Sequence, residues 1–400
     1  MMDRTADIAR SLRESGLDGW LFYDFRLSDP LAYRILGLPE EGLTTRRWFY
    51  FIGADGSTQA LVSAVEAQRL DALSASHRIV YRSERQMFEG LAGILRHRHR
   101  IAMNYSPQCA IPYISRVDGG TIELVRSLGV EIVTAADLIQ TFEATLTSTQ
   151  LAGHRRAAAA LREIVDESFG EIARRVRSHL PCTEYQIQCF VLEQIAARGL
   201  RTDEAPIIAV NANAANPHFS TGAENDTPIV PGDLILIDLF AKESAPDSIY
   251  GDLTWMGFVG DEVPNPYVRI FRIVVRAREA AVELVQTRVR DGMAVTGAEA
   301  DQASRRIIEN EGYGDQFVHR TGHSIGREVH GTGANLDSLE TSDHRALIER
   351  TCFSVEPGIY IPGHFGVRSE LDMAIENGWA EISGGPAQAE IIPLFSRFPD

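Results

Sequence analysis

At 400 residues the chain is longer than one hydrophobic core usually supports, so two domains are expected, each able to bury a core. Its formal charge of -16, with no basic run to offset it, excludes nucleic acid or an anionic membrane surface as the main partner. No apolar run is long enough to span a bilayer and the charged N-terminus lacks the core of a secretory signal, so a cytoplasmic protein is expected.

The four cysteines, Cys109, Cys182, Cys189 and Cys352, form no CxxC pair, which suits reduced structural thiols and speaks against a zinc finger or disulfide scaffold. Lys242 is the only lysine. Schiff-base and pyridoxal chemistry need a lysine, so those classes hang on one residue in what reads as a polar loop.

From the N-terminus, residues 4 to 15 read as a short amphipathic helix. Apolar strand-like runs follow at 20–25, 48–52, 59–65, 79–81, 101–105 and 130–133, interleaved with helical patterns at 84–95 and 121–128. This alternation predicts a mixed α/β domain over 1–147. It holds no GxGxxG, P-loop or clustered metal ligands, and His77, His97 and His99 lie among arginines as solvated surface. The boundary falls near Thr145-Leu146-Thr147-Ser148. A second domain, 148–400, opens on a long helix at 151–177. A second helix to Ala197 is announced by Thr183 and Gln186 at capping-box spacing. Strands are predicted at 206–210, 234–241, 253–259, 352–360 and 367–375, and helices at 267–289 and 297–310. Runs of helices and strands around a largely antiparallel sheet predict an α+β fold.

Ionisable residues in apolar surroundings carry the chemistry. Asp238 sits inside the run Asp233-Leu234-Ile235-Leu236-Ile237-Asp238-Leu239-Phe240, apolar on both faces and therefore buried. On the next strand, Tyr250-Gly251-Asp252-Leu253-Thr254, Asp252 can lie beside it, with Thr254 on the same face. Glu356 in Ser354-Val355-Glu356-Pro357-Gly358 and Glu370 in Val367-Arg368-Ser369-Glu370-Leu371-Asp372 come from two further strand-like segments, and His323 from Gly322-His323-Ser324-Ile325-Gly326. Four converging carboxylates would repel by on the order of 4 kcal/mol per pair at contact distance, so the cluster needs cations. Two divalent ions would balance it. Four carboxylates and one imidazole suit manganese, zinc, cobalt or ferrous iron, and two such ions could hold a water whose pKa falls towards ~7, a hydroxide nucleophile.

In these residues the chain resembles the pita-bread metallopeptidases, which include methionine aminopeptidase, aminopeptidase P, prolidase and the metal-free creatinase. Asp238, Asp252, His323, Glu356 and Glu370 match that family's five dinuclear-metal ligands in chain order, and the resemblance covers the chain from about Ser148. It implies a pita-bread α+β catalytic domain, and residues 1–147 look in outline like the creatinase-type N-terminal α/β domain. His218, His319 and His330 match positions that contact the substrate and stabilise its oxyanion. Glu356 matches the carboxylate that accepts the proton of the bridging water. Arg368 is placed to grip a substrate carboxylate or to orient Glu370, with which it is expected to share a strand face. Three departures are expected to border the cavity: Trp255 where an arginine is common, Gly331 where a glutamate is common, and a longer loop at 242–248.

The resemblance implies a dinuclear-metal-dependent exopeptidase on short Xaa-Pro peptides, prolidase-like or aminopeptidase P-like, working as a homodimer. The alternative is a small-molecule hydrolase or lyase on the same fold, such as an ectoine hydrolase, a sulfonium-propionate lyase or a creatinase, because fold does not fix function. A non-catalytic binding protein is disfavoured by retention of all five ligand types.

Overall fold

The structure is a computed structural model, and it describes residues 4–341 and 343–399. The chain separates into two compact units, Met1–Ala144 and Thr145–Asp400.

In the first unit, helix Thr5–Glu14 buries Ile8, Ala9 and Leu12. Strands β1 (Gly19–Asp24), β2 (Trp48–Gly53), β3 (Thr58–Ser63), β4 (His77–Tyr81), β5 (Arg100–Met103) and β6 (Glu131–Thr134) form one mixed sheet in the order β4-β3-β2-β1-β5-β6. Residues β1 and β2 are buried throughout, and strand alternation assigns their side chains to two cores. Trp20, Phe22, Trp48 and Tyr50 enter one; Leu21, Tyr23, Phe49 and Phe51 enter the other. The periodicity did not reveal helix Pro30–Leu36, seven residues long, although Asp29-Pro30 is a start signal: the Asp29 side chain accepts from Ala32 N.

The second unit opens on helix Ser148–Arg177. Its N-terminus carries a complete capping box between Thr147 and Gln150, and Thr296 with Glu299 closes another on helix Gly297–Asn310. Thr183 caps helix Glu184–Ala197 by accepting from Gln186 N, but the Gln186 side chain does not return the bond, so only half of the expected box forms. The strands are β7 (Leu200–Arg201), β8 (Ile207–Val210), β9 (Leu234–Glu243), β10 (Gly251–Phe258), β11 (Ser324–Ile325), β12 (Cys352–Val355), β13 (Gly358–Ile361), β14 (Phe365–Arg368), β15 (Leu371–Glu376), β16 (Trp379–Ser383) and β17 (Ile392–Pro393). One sheet runs β17-β10-β9-β7 with β8 also on β9, a second β11-β12-β15-β16, and β13 pairs with β14. Helices Ser148–Arg177 and Glu184–Ala197 pack on the β9–β10 layer through Leu161, Val165, Phe169, Ile187 and Val191.

Two predicted strands each prove to be two. The run expected at 352–360 breaks at Glu356-Pro357, and that at 367–375 at Ser369-Glu370. Pro357 has no N–H for a ladder. The freed backbone groups find other partners: Glu356 N donates to Thr321 O at 2.7 Å, Glu370 N to Thr254 O at 3.2 Å and Ser369 N to Pro357 O at 3.3 Å. Arg368 therefore ends one sheet while Glu370 precedes another, and the shared strand face expected for them does not exist. Both breaks expose a glutamate to the same interior point.

Candidate metal centre

Strands β9 and β10 pair antiparallel, with Asp238 opposite Thr254 and Asp252 opposite Phe240. Alternation along β10 sends Asp252 and Thr254 to one face, and Leu253 and Trp255 into the core beneath the long helix. There the Arg162 guanidinium lies 3.6 Å from the Trp255 ring centroid. Trp255 thus belongs to the core and not to the lip of the cavity. Gly331 is likewise packed: a Cβ there would stand 2.9 Å from Ser324 Oγ. Lys242 is not in a loop but near the end of β9, and it is buried.

His323 is placed by its neighbours on both sides. Its backbone N donates to Ser354 Oγ at 3.0 Å, and a Cβ on Gly322 would stand 2.0 Å from Ser354 O, so only glycine permits this approach. The ring's Nδ1 lies 3.1 Å from Ser324 O. A carbonyl can only accept, so Nδ1 carries the proton and Nε2 presents its lone pair. That lone pair faces Asp252 Oδ2 and Glu356 Oε1, each at 3.5 Å. Burial holds the imidazole pKa below its ordinary value.

Asp252, His323 and Glu370 each offer a donor atom within 4.8 Å of the others. Glu356 adjoins through His323, and Ser354 Oγ donates to its Oε1 at 3.3 Å. Asp238 is ion-paired with the buried Arg368. The same guanidinium donates through Nε to Thr254 Oγ1 at 2.9 Å, and Thr254 in turn donates to Glu370 Oε2 at 2.6 Å. Asp252 N donates to Asp372 Oδ2 at 2.8 Å. Burial first, then the charge of a neighbouring aspartate, pushes the carboxyl groups of Asp252 and Glu370 well above the carboxylate range; burial also raises Glu356 and Asp372.

The donor set fits divalent cations. Among the described residues, Asp252 Oδ1 is buried with no hydrogen-bond partner, and so is Asp372 Oδ1. An orphaned buried acceptor costs about 1 to 3 kcal/mol, and more when charged. Hard oxygen donors and one imidazole lone pair around such an orphan would be satisfied by a borderline or hard metal ion.

The remaining candidates lie around this cluster. His319 places Nδ1 2.6 Å from Arg320 O and Nε2 2.8 Å from the Tyr360 hydroxyl, so Nδ1 is the donor and Tyr360 donates to Nε2. Burial brings its pKa down to about 3, and the ring stays neutral. Tyr360 also lies 3.5 Å from Arg368 Nη1. The His330 ring meets that of His323 edge-on, with centroids 4.4 Å apart. His218 is exposed on its loop. Sequence reasoning missed Tyr360, because only the break at Glu356-Pro357 turns its strand against Arg368 and no pattern announces that turn.

The site is thus a buried mix of carboxylates and imidazole framed by antiparallel sheets and long helices. The pattern of metallopeptidase family M24 matches residues 152–377, more than half of the chain, and the chain belongs to that family. It is 32% identical over 202 residues to an Xaa-Pro dipeptidase of Lactobacillus delbrueckii subsp. lactis, covering 49% of each protein. It is 39% identical over 174 residues to an Xaa-Pro dipeptidase of Pyrococcus furiosus, covering 43% of this chain and 45% of that one. These matches span about half the length of those relatives. The crystal structure of dipeptidase PepE from Mycobacterium ulcerans superposes with a TM-score of 0.72 at 23% identity, over 98% of this chain and 97% of that one, which shows the shared fold.

Proposed function

We propose that the chain is a dinuclear-metal-dependent exopeptidase that hydrolyses short Xaa-Pro peptides. The observation that carries this reading is the buried group of Asp252, His323 and Glu370, with Glu356 beside His323, Asp238 tied to it through Arg368 and Thr254, and Asp252 Oδ1 without a partner among the described residues. The names of the related dipeptidases support the substrate class.

These five residues would hold two divalent ions, with manganese preferred and zinc, cobalt or iron as alternatives. Such a pair supplies a Lewis acid for the peptide carbonyl and an acidified water. The chain's own groups do the rest. Glu356 accepts the proton of the attacking water and passes it to the leaving nitrogen. His218 and His330 face the substrate and donate to the oxyanion as it develops. His319 is held neutral by Tyr360 and Arg320 O and shapes the same wall. Arg368 has Asp238, Thr254 and Tyr360 as partners, which favours orienting Asp238 and Glu370 over gripping a substrate carboxylate. By the same family resemblance the working form is a homodimer.

Elemental analysis of protein purified in metal-supplemented buffer should find two divalent ions per chain, and none would sink the reading. A panel of Xaa-Pro dipeptides, Xaa-Pro tripeptides, non-proline peptides, creatine and ectoine, each with manganese, zinc, cobalt and iron, then tests the substrate. Turnover is expected with the Xaa-Pro dipeptides. Turnover of creatine or ectoine alone would replace the peptidase reading by a small-molecule hydrolase.

A further inference from the structure

Lys242, the single lysine, is 5% exposed near the end of β9. Its ammonium has Asp203 at 3.5 Å, a carboxylate whose side chain is 60% exposed and therefore screened. Burying an ammonium against so weak a counter-charge is costly unless its hydrogen bonds are made. Two contacts compensate it: the Nζ lies 4.4 Å from the Tyr250 ring centroid, and it donates to the backbone carbonyl of Arg327.

That carbonyl lies in the loop Gly326 to His330, which has no regular secondary structure and returns through Gly331 N donating to Ser324 O at 2.6 Å. The β9–β10 hairpin grips the loop at two further points. Tyr250 N donates to Gly326 O at 3.1 Å, and Asp247 pairs with the Arg327 guanidinium at 3.2 Å. Tyr250 is itself fixed, since its hydroxyl donates to Asp203 Oδ2 at 2.9 Å and accepts from Asp203 N at 3.1 Å. Three residues beyond the gripped carbonyl stands His330, its ring against His323. The β9–β10 hairpin is therefore the part of the fold that holds this loop.

We propose that Lys242 is a positioning residue: its bond to the Arg327 carbonyl orders the Gly326–His330 loop and so fixes the His330 imidazole at the substrate side of the metal cluster. The anchoring half stands on the contacts above, and the substrate half rests on the reading of His330 as a substrate contact. A slender stem carrying a compact three-donor head reaches a single backbone oxygen, with no planar fork to accommodate.

The test substitutes Lys242→Met, which keeps the apolar stem and removes the donor. Peptide-resolved hydrogen exchange across 322–336 should accelerate about tenfold in the variant, as local opening becomes easier. The kcat for an Xaa-Pro dipeptide should fall about tenfold with KM within about threefold of wild type, the signature of an interaction lost in the transition state. Metal content should not change. Unchanged exchange in a folded Lys242→Met protein overturns the proposal whatever its activity, and faster exchange with an unchanged kcat overturns the link to His330. Faster exchange in a protein whose wild type cleaves no peptide upholds the anchoring and overturns only the peptidase reading. The wild type gives a check that needs no substitution, because labelling with ¹⁵N-lysine yields one Nζ signal. Its hydrogens should be protected, and exchange as fast as in free lysine would overturn the bond.

Discussion

Both units bury a pair of aspartates, and the two pairs are built on opposite terms. In the first unit Asp24 and Asp29 are fully buried, yet each oxygen has a donor. Leu27 N and the Tyr33 hydroxyl serve Asp24 Oδ2, Ser28 Oγ and Asp29 N serve Oδ1, Ala32 N serves Asp29 Oδ1 and Asn104 Nδ2 serves Oδ2. Asn104 is fixed in turn by the Trp20 indole. In the second unit Asp252 and Asp372 are buried as deeply, but each keeps an oxygen with no partner. Burial is thus alike in the two places, and satisfaction differs. A closed hydrogen-bond network is scaffold; an open one asks for a ligand.

The comparison breaks first at Glu356. If the second cluster is a working site, Glu356→Gln should leave the fold intact by circular dichroism while peptide turnover falls about 10²- to 10⁴-fold. Near-normal turnover would place the proton acceptor elsewhere. The next effect is on stability and separates the two units. Asp24→Ala strands four donors and should cost about 4 kcal/mol in the first unit, read by urea unfolding followed by hydrogen exchange in peptides from 19–36. Asp252→Asn in metal-free protein removes a repelling charge and should leave the second unit no less stable, while abolishing metal uptake. Equal losses from both substitutions would erase the distinction.

The smallest effect is a pH slope. Burial, the largest cause, raises Asp29 from 3.8 to about 7, so the folded unit keeps a proton that the unfolded chain releases. The resulting stabilisation is complete below the unfolded value of 3.8 and lost as pH rises through about 7, at no more than ~1.4 kcal/mol per pH unit. Asp29→Asn should flatten that slope in the same peptides. A slope that survives the substitution would assign it to another group.

Much of this was legible in the chain because it rests on local rules. The apolar run around Asp238 fixed a buried strand, and alternation on β10 correctly paired the faces of Asp252 and Thr254. Helix Gly297–Asn310 fell where its pattern placed it. Most of the failures share a cause, contacts distant in sequence. Pro357 and Ser369 lie inside runs that look continuous, and what ends the strands is Thr321 O, Thr254 O and Pro357 O reaching in to take the freed N–H groups. Trp255 was expected at the lip although its parity with Leu253 already pointed it into the core. Lys242 read as loop because polar residues follow it, whereas the Tyr250 ring and a backbone carbonyl make its burial affordable. The Tyr33, Asp24 and Asn104 network left no periodic trace, since its members are linked across up to 84 residues, as Trp20 and Asn104 are.

The ion pair between Arg368 and Asp238 joins residues 130 positions apart. At synthesis rates of roughly 5 to 20 residues per second, a ribosome needs on the order of ten seconds to travel from one to the other. The contacts inside the first unit all precede residue 145, so during that interval the nascent protein carries a completed sheet of six strands but no assembled carboxylate cluster. Assembly of the cluster is thereby deferred until the last quarter of the polypeptide has emerged, a timing written into the order of the strands.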